Sequence, residues 1–169
     1  KLTDVVVTSN LSGMESALPE PFAKSAAETV PLRFEMKSVT AQQEVLSLQY
    51  GDLFGAKLLR REEEGGWAIK RGTVNFGGPA RFHNRDGVWL TGTVPKLALE
   101  GWGPLLGASR SAAASGFAGA DLLVQHLDVY GYRVNELRVS ARNREGALAA
   151  QLASREANGE VSWEGEGKG

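Results

Sequence analysis

Residues 32–50 read LRFEMKSVTAQQEVLSLQY, and this stretch decides the fold. Leu32, Phe34 and Met36 alternate with charged residues in its first half, and Leu46 and Leu48 alternate with polar residues in its second half. Successive side chains of an extended strand point to opposite faces of a sheet. Each half therefore predicts a β-strand with one apolar face and one face exposed to water.

The same period of two recurs along the rest of the chain. It occurs at residues 88–94 and 137–142, and further strands are predicted at 4–9, 55–61, 67–76, 122–130, 147–153 and 159–164. Turns that contain glycine predict hairpins at 50–52, 64–66, 86–87, 130–131 and 145–146. These signals predict a mainly β fold, an antiparallel sheet with one or two short helices.

One predicted strand carries an irregularity. Its apolar residues occupy odd positions at first, Trp67 and Ile69, and then even positions, Val74 and Phe76. The parity slips by one residue around residues 71–72, and an extra residue in the strand would produce this slip. The pattern predicts a β-bulge, which bends a sheet.

Two segments are predicted to form short helices. Pro21 suits the first turn of a helix within residues 21–27, because its missing N–H has no partner at that position in any case. Residues 97–106 have the apolar spacing of one or two helical turns, interrupted by glycine and proline. Both segments are short, so the sheet remains the main structure.

A small, nearly uncharged segment divides the chain. Residues 108–120, rich in alanine, serine and glycine, predict a flexible connection. A larger antiparallel sheet, residues 1–107, precedes it, and a smaller β meander, residues 121–169, follows and continues the sheet. The chain begins without methionine and ends in GEGKG directly after a predicted strand. We therefore expect an internal fragment of a longer protein.

Composition excludes several classes of partner. The 169 residues include 19 basic and 20 acidic residues, and the two signs are interleaved, which gives no basic surface for nucleic acid or anionic membranes. No cysteine is present, so disulfides and thiolate metal sites are excluded. The apolar runs are far shorter than the roughly 20 residues of a membrane-spanning helix. We expect no nucleic-acid partner and no membrane span in this fragment.

The motifs of catalysis are also missing. His83 and His126 stand far apart, and neither lies in a pattern that supplies two zinc ligands from one element. The acidic run at residues 62–64 precedes a predicted hairpin tip and is interpreted as charge that faces solvent, whereas carboxylates in acid–base catalysis need an enclosed site. The glycines at 77–78 lack the lysine and hydroxyl residue of a phosphate-binding loop. The sequence predicts no catalytic residue, no metal and no cofactor.

Four tryptophans leave an alternative open. Trp67, Trp89, Trp102 and Trp163 could stack on sugar rings if at least two were exposed on one face. Packing in the interior is the commoner use of such large aromatic side chains. A sugar-binding β module is therefore an alternative to a packed or apolar-faced sheet.

Several sequence phrases, in order along the chain, resemble one family. Residues 11–24, LSGMESALPEPFAK, follow a predicted strand, and VPLR at 30–33 is their usual sequel. Further phrases are YGD at 50–52, GWAIKRG at 66–72, FGG at 76–78, GVWLTG at 87–92, PKLALEGW at 95–102, LDVYGY at 127–132 and GEVSW at 159–163. Together they cover nearly the whole chain and resemble the YhdP family of large AsmA-like proteins in the Gram-negative envelope.

This resemblance implies a function without catalysis. It implies a periplasmic part of a protein anchored in the inner membrane, associated with phospholipid movement to the outer membrane and with outer-membrane integrity. The implied fold is a long, curved antiparallel sheet, groove-like or partly closed, that folds over an apolar groove, similar to bridge-like lipid transfer proteins of the chorein type. The implied partners are phospholipid, the remaining segments of the full-length protein and envelope proteins whose identity the sequence does not reveal.

The apolar residues of the predicted strands are the candidate groove lining. They are Leu32, Phe34, Met36, Leu46, Leu48, Val88, Leu90, Leu137, Val139, Leu148, Leu152 and Val161. A closed core requires the same residues, because both arrangements cover one face of a sheet. A lipid-conducting segment and a closed-core structural or docking module both remain open at this point.

Overall fold

A computed structural model describes residues 2–102, 116–144 and 147–164 of the chain. Within these residues one sheet of ten strands confirms the mainly β prediction. The strands are β1 (Asp4–Ser9), β2 (Leu32–Thr40), β3 (Gln43–Tyr50), β4 (Phe54–Glu63), β5 (Gly66–Phe76), β6 (Gly87–Ala98), β7 (Phe117–Val129), β8 (Tyr132–Arg144), β9 (Ala147–Ala153) and β10 (Asn158–Glu164). Residues 99–102 are helical.

The strands pair in sequence order, so each of β2 to β9 pairs with the strands before and after it. Most pairs are antiparallel, but β6 is parallel to both β5 and β7. The sheet is therefore mixed, and the antiparallel prediction is wrong at β6. The predicted hairpin at residues 86–87 is also wrong, because residues 77–86 return the chain along the sheet, as a parallel pair requires.

The sheet is open. Among the residues that the structure describes, the outermost strands, β1 and β10, each pair on one side only, with β2 and β9 respectively. The residues on either side of the expected flexible connection belong to one continuous sheet, since β6 and β7 pair directly. Residues 108–115 lie outside the described part of the chain, whereas residues 117–120 begin β7 and are not part of a connection.

The predicted helix at residues 21–27 is wrong. Ser16 and Lys24 instead form an isolated antiparallel bridge, in which the N–H of each donates to the carbonyl oxygen of the other. The buried ammonium of Lys24 donates to the carbonyl oxygens of Met14 and Ser25, which stabilises this non-helical backbone. We call residues 10–31, which connect β1 to β2, the strap.

The second predicted helix is correct in part. Strand β6 extends through Ala98, so residues 97–98 are extended, and the helical residues are 99–102. Residues 103–106 of the prediction lie outside the described residues. The first turn is tied to the sheet by Glu100, whose carboxylate accepts a hydrogen bond from the N–H of Tyr130.

The β-bulge lies in β5, beside the predicted position. Leu59 is opposite Arg71 and Arg60 is opposite Ile69, so Lys70 is the extra residue of β5. An extra residue reverses the alternation of side chains beyond it. The bulge therefore accounts for the slip in apolar parity along this strand.

The buried interior of the described residues is small and lies on the central strands. Val94, Val124 and Leu137, from β6, β7 and β8, form a buried cluster. Leu97 and Leu127 pack against it although Lys96 and His126, one residue earlier on each strand, are exposed. Most other apolar side chains of the sheet are only half-buried.

Candidate functional site

The strand registers align apolar residues into rows that cross the sheet. Residues directly opposite each other on paired strands point to the same face. The central row takes one residue from each strand: Val7, Phe34, Leu48, Ala56, Val74, Leu90, Ala120, Ala141, Ala150 and Val161. Every residue of this row is apolar.

Further rows flank the central one on the same face, which we call the apolar face. One row contains Leu32, Tyr50, Phe54, Phe76, Gly92, Leu122, Val139, Leu152 and Gly159. The other contains Val5, Met36, Leu46, Leu58, Gly72 and Val88. Leu137 lies opposite Val124, and Leu148 lies two residues from Ala150 on β9. All twelve predicted residues therefore share this face.

The opposite face is polar. The row next to the central one contains Thr8, Arg33, Gln49, Gly55, Asn75, Thr91, Asp121, Ser140, Gln151 and Glu160. Residues 77–86 cross this polar face, where Phe82 lies 5.3 Å from the Lys57 ammonium and 5.1 Å from the Arg71 guanidinium, measured to the ring centroid. The sheet is amphipathic from β1 to β10.

The apolar face is only partly covered. Of the twelve predicted residues, Leu137 is buried at 9% exposure, Val161 is 51% exposed, and the other ten are half-buried. Trp67 and Ile69, which the bulge turns to this face, are also exposed. An apolar face of this extent that is only partly covered is a candidate binding surface.

The strap lies against one end of the apolar face. The ring of Phe22 packs edge-to-face on Phe54, Phe76 and Trp102, with centroid distances of 5.6, 6.3 and 5.6 Å. The indole Nε1 of Trp102 donates a hydrogen bond to the carbonyl oxygen of Glu20. The strap and the helical residues 99–102 thus contact each other and cover the row that contains Phe54 and Phe76.

An ion pair lies near the other end of the same face. Arg60 donates from Nε and Nη2 to Oε2 of Glu44, at 2.8 and 2.6 Å. Its guanidinium also stacks on Trp67, 4.7 Å from the ring centroid, and lies 3.6 Å from the sulfur of Met36. The side chains of Arg60 and Glu44 are only 29% and 15% exposed. We call Glu44, Arg60 and Trp67 the charged end of the apolar face.

A comparison with protein families identifies the family of the chain. The model of the YhdP protein family matches residues 1–169. The chain belongs to the YhdP family. Membership indicates an envelope protein, and the family name denotes no enzymatic activity. No curated protein and no solved structure matches the chain significantly.

The described residues of this YhdP-family chain contain no helix long and apolar enough to cross a membrane. They also contain no group of three or more acidic or histidine side chains arranged to hold a metal ion. His126 contacts the amide oxygen of Asn135, 3.1 Å away. Trp89 is buried on the polar face and Trp67 is exposed on the apolar face, so these two do not form a joint platform for a sugar.

The polar face of the YhdP-family sheet has its own charged cluster. The guanidinium groups of Arg85 and Arg142 lie 4.6 and 4.9 Å from the ring centroid of Trp89. Burial raises the pKa of Asp121, but hydrogen bonds and charge from Arg142, with smaller contributions from Ser140 and Arg85, outweigh it and lower that pKa. Asp121 and Ser140 also line a shallow concavity of about 570 Å³.

Sequence reasoning missed several residues of the apolar face. Phe54, Leu58 and Leu122 occupy its rows beside the predicted residues. Period-two alternation indicates which residues within one strand share a face. Only the register between strands shows that these three residues lie on the same face as the predicted ones. The pairing of Arg60 with Glu44 carries no local sequence signal, because the two residues come from different strands.

Proposed function

We propose that the apolar face of this YhdP-family chain carries the acyl chains of phospholipids through the periplasm, between the inner and outer membranes. The observation that supports this most directly is the central row, ten apolar residues across ten strands, most of them half-buried. The neighbouring row on the other face is polar. An amphipathic single sheet can shelter a lipid tail on one side and contact water on the other.

The energetics favour such a surface. A methylene group costs roughly 0.8 kcal/mol to expose to water, so an acyl chain of about sixteen carbons costs on the order of 10 kcal/mol. The ten-strand row spans about 43 Å, since neighbouring strands lie ~4.8 Å apart. One leaflet of a bilayer core is about 15 Å thick. The row is long enough to keep a tail covered as it moves along the sheet.

The proposed role involves no chemical step. Acyl chains contact side chains such as Leu48 and Leu90, and movement requires only that one apolar contact replaces another. In the full-length protein, the remaining segments anchor this part in the inner membrane and extend the path to the outer membrane. Outer-membrane integrity then depends on a continuous apolar surface and not on a catalytic residue.

A charge on the apolar face tests the proposal. The purified chain is incubated with vesicles of phosphatidylethanolamine and phosphatidylglycerol, and bound lipid is counted by native mass spectrometry. We expect lipid on the wild-type chain and at least tenfold less on Leu48→Asp, because a carboxylate is costly in an acyl environment. Ser47→Asp is the matched control, since Ser47 is the neighbouring residue on the polar face.

Two results would refute the proposal: a folded wild-type chain without lipid, or a folded Leu48→Asp variant that retains wild-type amounts. Far-UV circular dichroism establishes folding in each case. A second experiment introduces the same two variants into the full-length protein in cells and measures phospholipid transfer and resistance to detergents. There, Leu48→Asp should fail and Ser47→Asp should succeed.

A closed-core structural or docking module is the second candidate. The strap over Phe54 and Phe76 and the buried cluster of Val94, Val124 and Leu137 favour it, because both resemble the interior of a compact domain. This function predicts no bound phospholipid on the wild-type chain. It also predicts that Leu48→Asp lowers stability without changing lipid content.

A further inference from the structure

The charged end places an arginine and a glutamate on a face whose central and flanking rows are apolar. Arg60 belongs to the same face as Leu58, two residues away on β4, and Leu58 lies in a row with Met36 and Leu46. Two residues along a strand correspond to about 7 Å. The cation of Arg60 therefore lies in the row next to the apolar row that contains Leu58.

The guanidinium group retains capacity for a further partner. Both of its bonds to Glu44 end on one carboxylate oxygen, Oε2. The two N–H groups of Nη1 have no acceptor among the residues that the structure describes. Trp67 stacks on its flat surface and holds the group in place. Arginine in this arrangement suits the oxygens of a phosphate group, which it can bind through two parallel hydrogen bonds.

We propose that Arg60 binds the phosphate of a phospholipid whose acyl chains lie along Leu58, Leu46 and Met36. This inference rests on the proposed function and deepens it by naming the headgroup contact. The cation of Arg60 beside an apolar row matches this ligand, because a phospholipid places one anionic group next to two apolar chains. Glu44 competes with the phosphate for the same guanidinium, so the ion pair keeps Arg60 oriented when lipid is absent.

Three probes separate the phosphate contact from the acyl contact. They are phosphatidylglycerol, diacylglycerol with identical acyl chains, and inorganic phosphate. Native mass spectrometry measures the two lipids, and phosphorus NMR measures the free anion. We expect Arg60→Met to lower phosphatidylglycerol binding about tenfold, the effect of losing a charge-assisted hydrogen bond, and to leave diacylglycerol binding unchanged.

Two other variants keep the inference testable if Arg60→Met folds poorly. Glu44→Gln removes the competing charge and should increase phosphatidylglycerol binding, and Arg60→Lys should retain part of it. Arg33→Met is the matched control, because Arg33 pairs with Glu35 at 3.3 Å on the polar face. We expect no change in lipid binding for that control.

The outcomes separate this inference from the proposed function. If the wild-type chain binds neither lipid, the proposed function fails. If it binds both lipids and Arg60→Met changes neither, or changes both alike, the headgroup contact is wrong while the proposed function stands. If inorganic phosphate binds at Arg60 and phosphatidylglycerol shows no preference over diacylglycerol, the site is a free-anion site and the inference is overturned.

Discussion

Ile69 and Val74 point to the same face of β5 although five positions separate them. Lys70 is the extra residue of a bulge, so Ile69 lies opposite Arg60 while Val74 lies opposite Ala56, and Arg60 and Ala56 share the apolar face. Without the bulge, Trp67 and Ile69 would present their side chains to the polar face. A single residue thus extends the apolar face to the charged end.

Deletion of Lys70 should therefore destabilise the sheet. Trp67 and Ile69 would turn to the polar face, and the stacking of Trp67 on Arg60 would be lost. We expect the free energy of unfolding in urea to fall by roughly 2 kcal/mol or more, comparable to exposing one large apolar side chain. Lys70→Ala keeps the bulge and removes only an exposed pair with Glu63, so it should change stability by less than about 1 kcal/mol. Equal losses in both variants would contradict this account.

Gly92 is required for the parallel pairing of β5 and β6. It has a φ of +98°, and a Cβ atom there would collide with the backbone carbonyl of Phe76. Gly92→Ala should lower the free energy of unfolding by about 3 kcal/mol or more, from backbone strain and steric overlap combined.

Gly159 provides the matched control for Gly92. A Cβ atom at Gly159 meets no atom within 4 Å. Gly159→Ala should be neutral or slightly stabilising, because alanine restricts the unfolded chain more than glycine does. Urea titration measures the free energy of unfolding of both variants. If Gly92→Ala is as stable as wild type, β6 can move away from β5 and Gly92 is not required.

Acid should remove the contribution of Asp121. Burial raises its pKa, but the hydrogen bonds and charge of Arg142, with Ser140 and Arg85, lower it more. A lowered carboxyl pKa adds stability above the unfolded pKa of about 4, and that stability is lost as pH falls through the folded pKa. The stability difference between wild type and Asp121→Asn should therefore be present at pH 7 and should shrink as the pH falls below about 4.

The size of this effect should be modest. The Asp121 side chain is 40% exposed, so screening limits its contribution to about 1 kcal/mol or less. Thermal unfolding of both proteins between pH 2 and 7 measures it. Arg142→Gln should show the same reduced dependence on pH. A stability difference between wild type and Asp121→Asn that stays constant from about pH 2 to 7 would contradict this role of Asp121.

Phe22 should control the local stability of the strap. Its ring makes edge-to-face contacts with Phe54, Phe76 and Trp102, each contributing roughly 0.5–1.5 kcal/mol. Phe22→Ala should accelerate hydrogen exchange at the amide N–H groups of Ser16 and Lys24, each of which donates to the carbonyl oxygen of the other residue across the strap.

Exchange in the central strands should not change in Phe22→Ala. The amide of Val124, in the buried cluster, serves as the internal reference. Phe22→Leu keeps most of the apolar contact and should have an intermediate effect. If Val124 exchanges faster in step with Ser16, the strap and the sheet unfold as one unit, and the strap is not a separately docked segment.

Much of the sheet could be predicted from sequence because strand alternation is local. Leu32, Phe34 and Met36 alternate with charged residues, and the pleat of an extended chain then places them on one face. The bulge in β5 could be located to within a residue or two for the same reason. The strap could not be predicted, since the sequence around Pro21 suits a helix. Its non-helical backbone is favoured by contacts of Lys24, which bridges to Ser16 and donates to two carbonyl oxygens.

By itself, the sequence determined which residues of each strand are apolar and that they share a face within that strand. This follows from covalent geometry, which acts between neighbours in the chain. Only the tertiary structure decided that β6 runs parallel to its neighbours, that ten strands align their apolar residues into one row, and that Arg60 meets Glu44 and Trp67. These features depend on hydrogen-bond register and loop closure between distant segments, which no local pattern encodes.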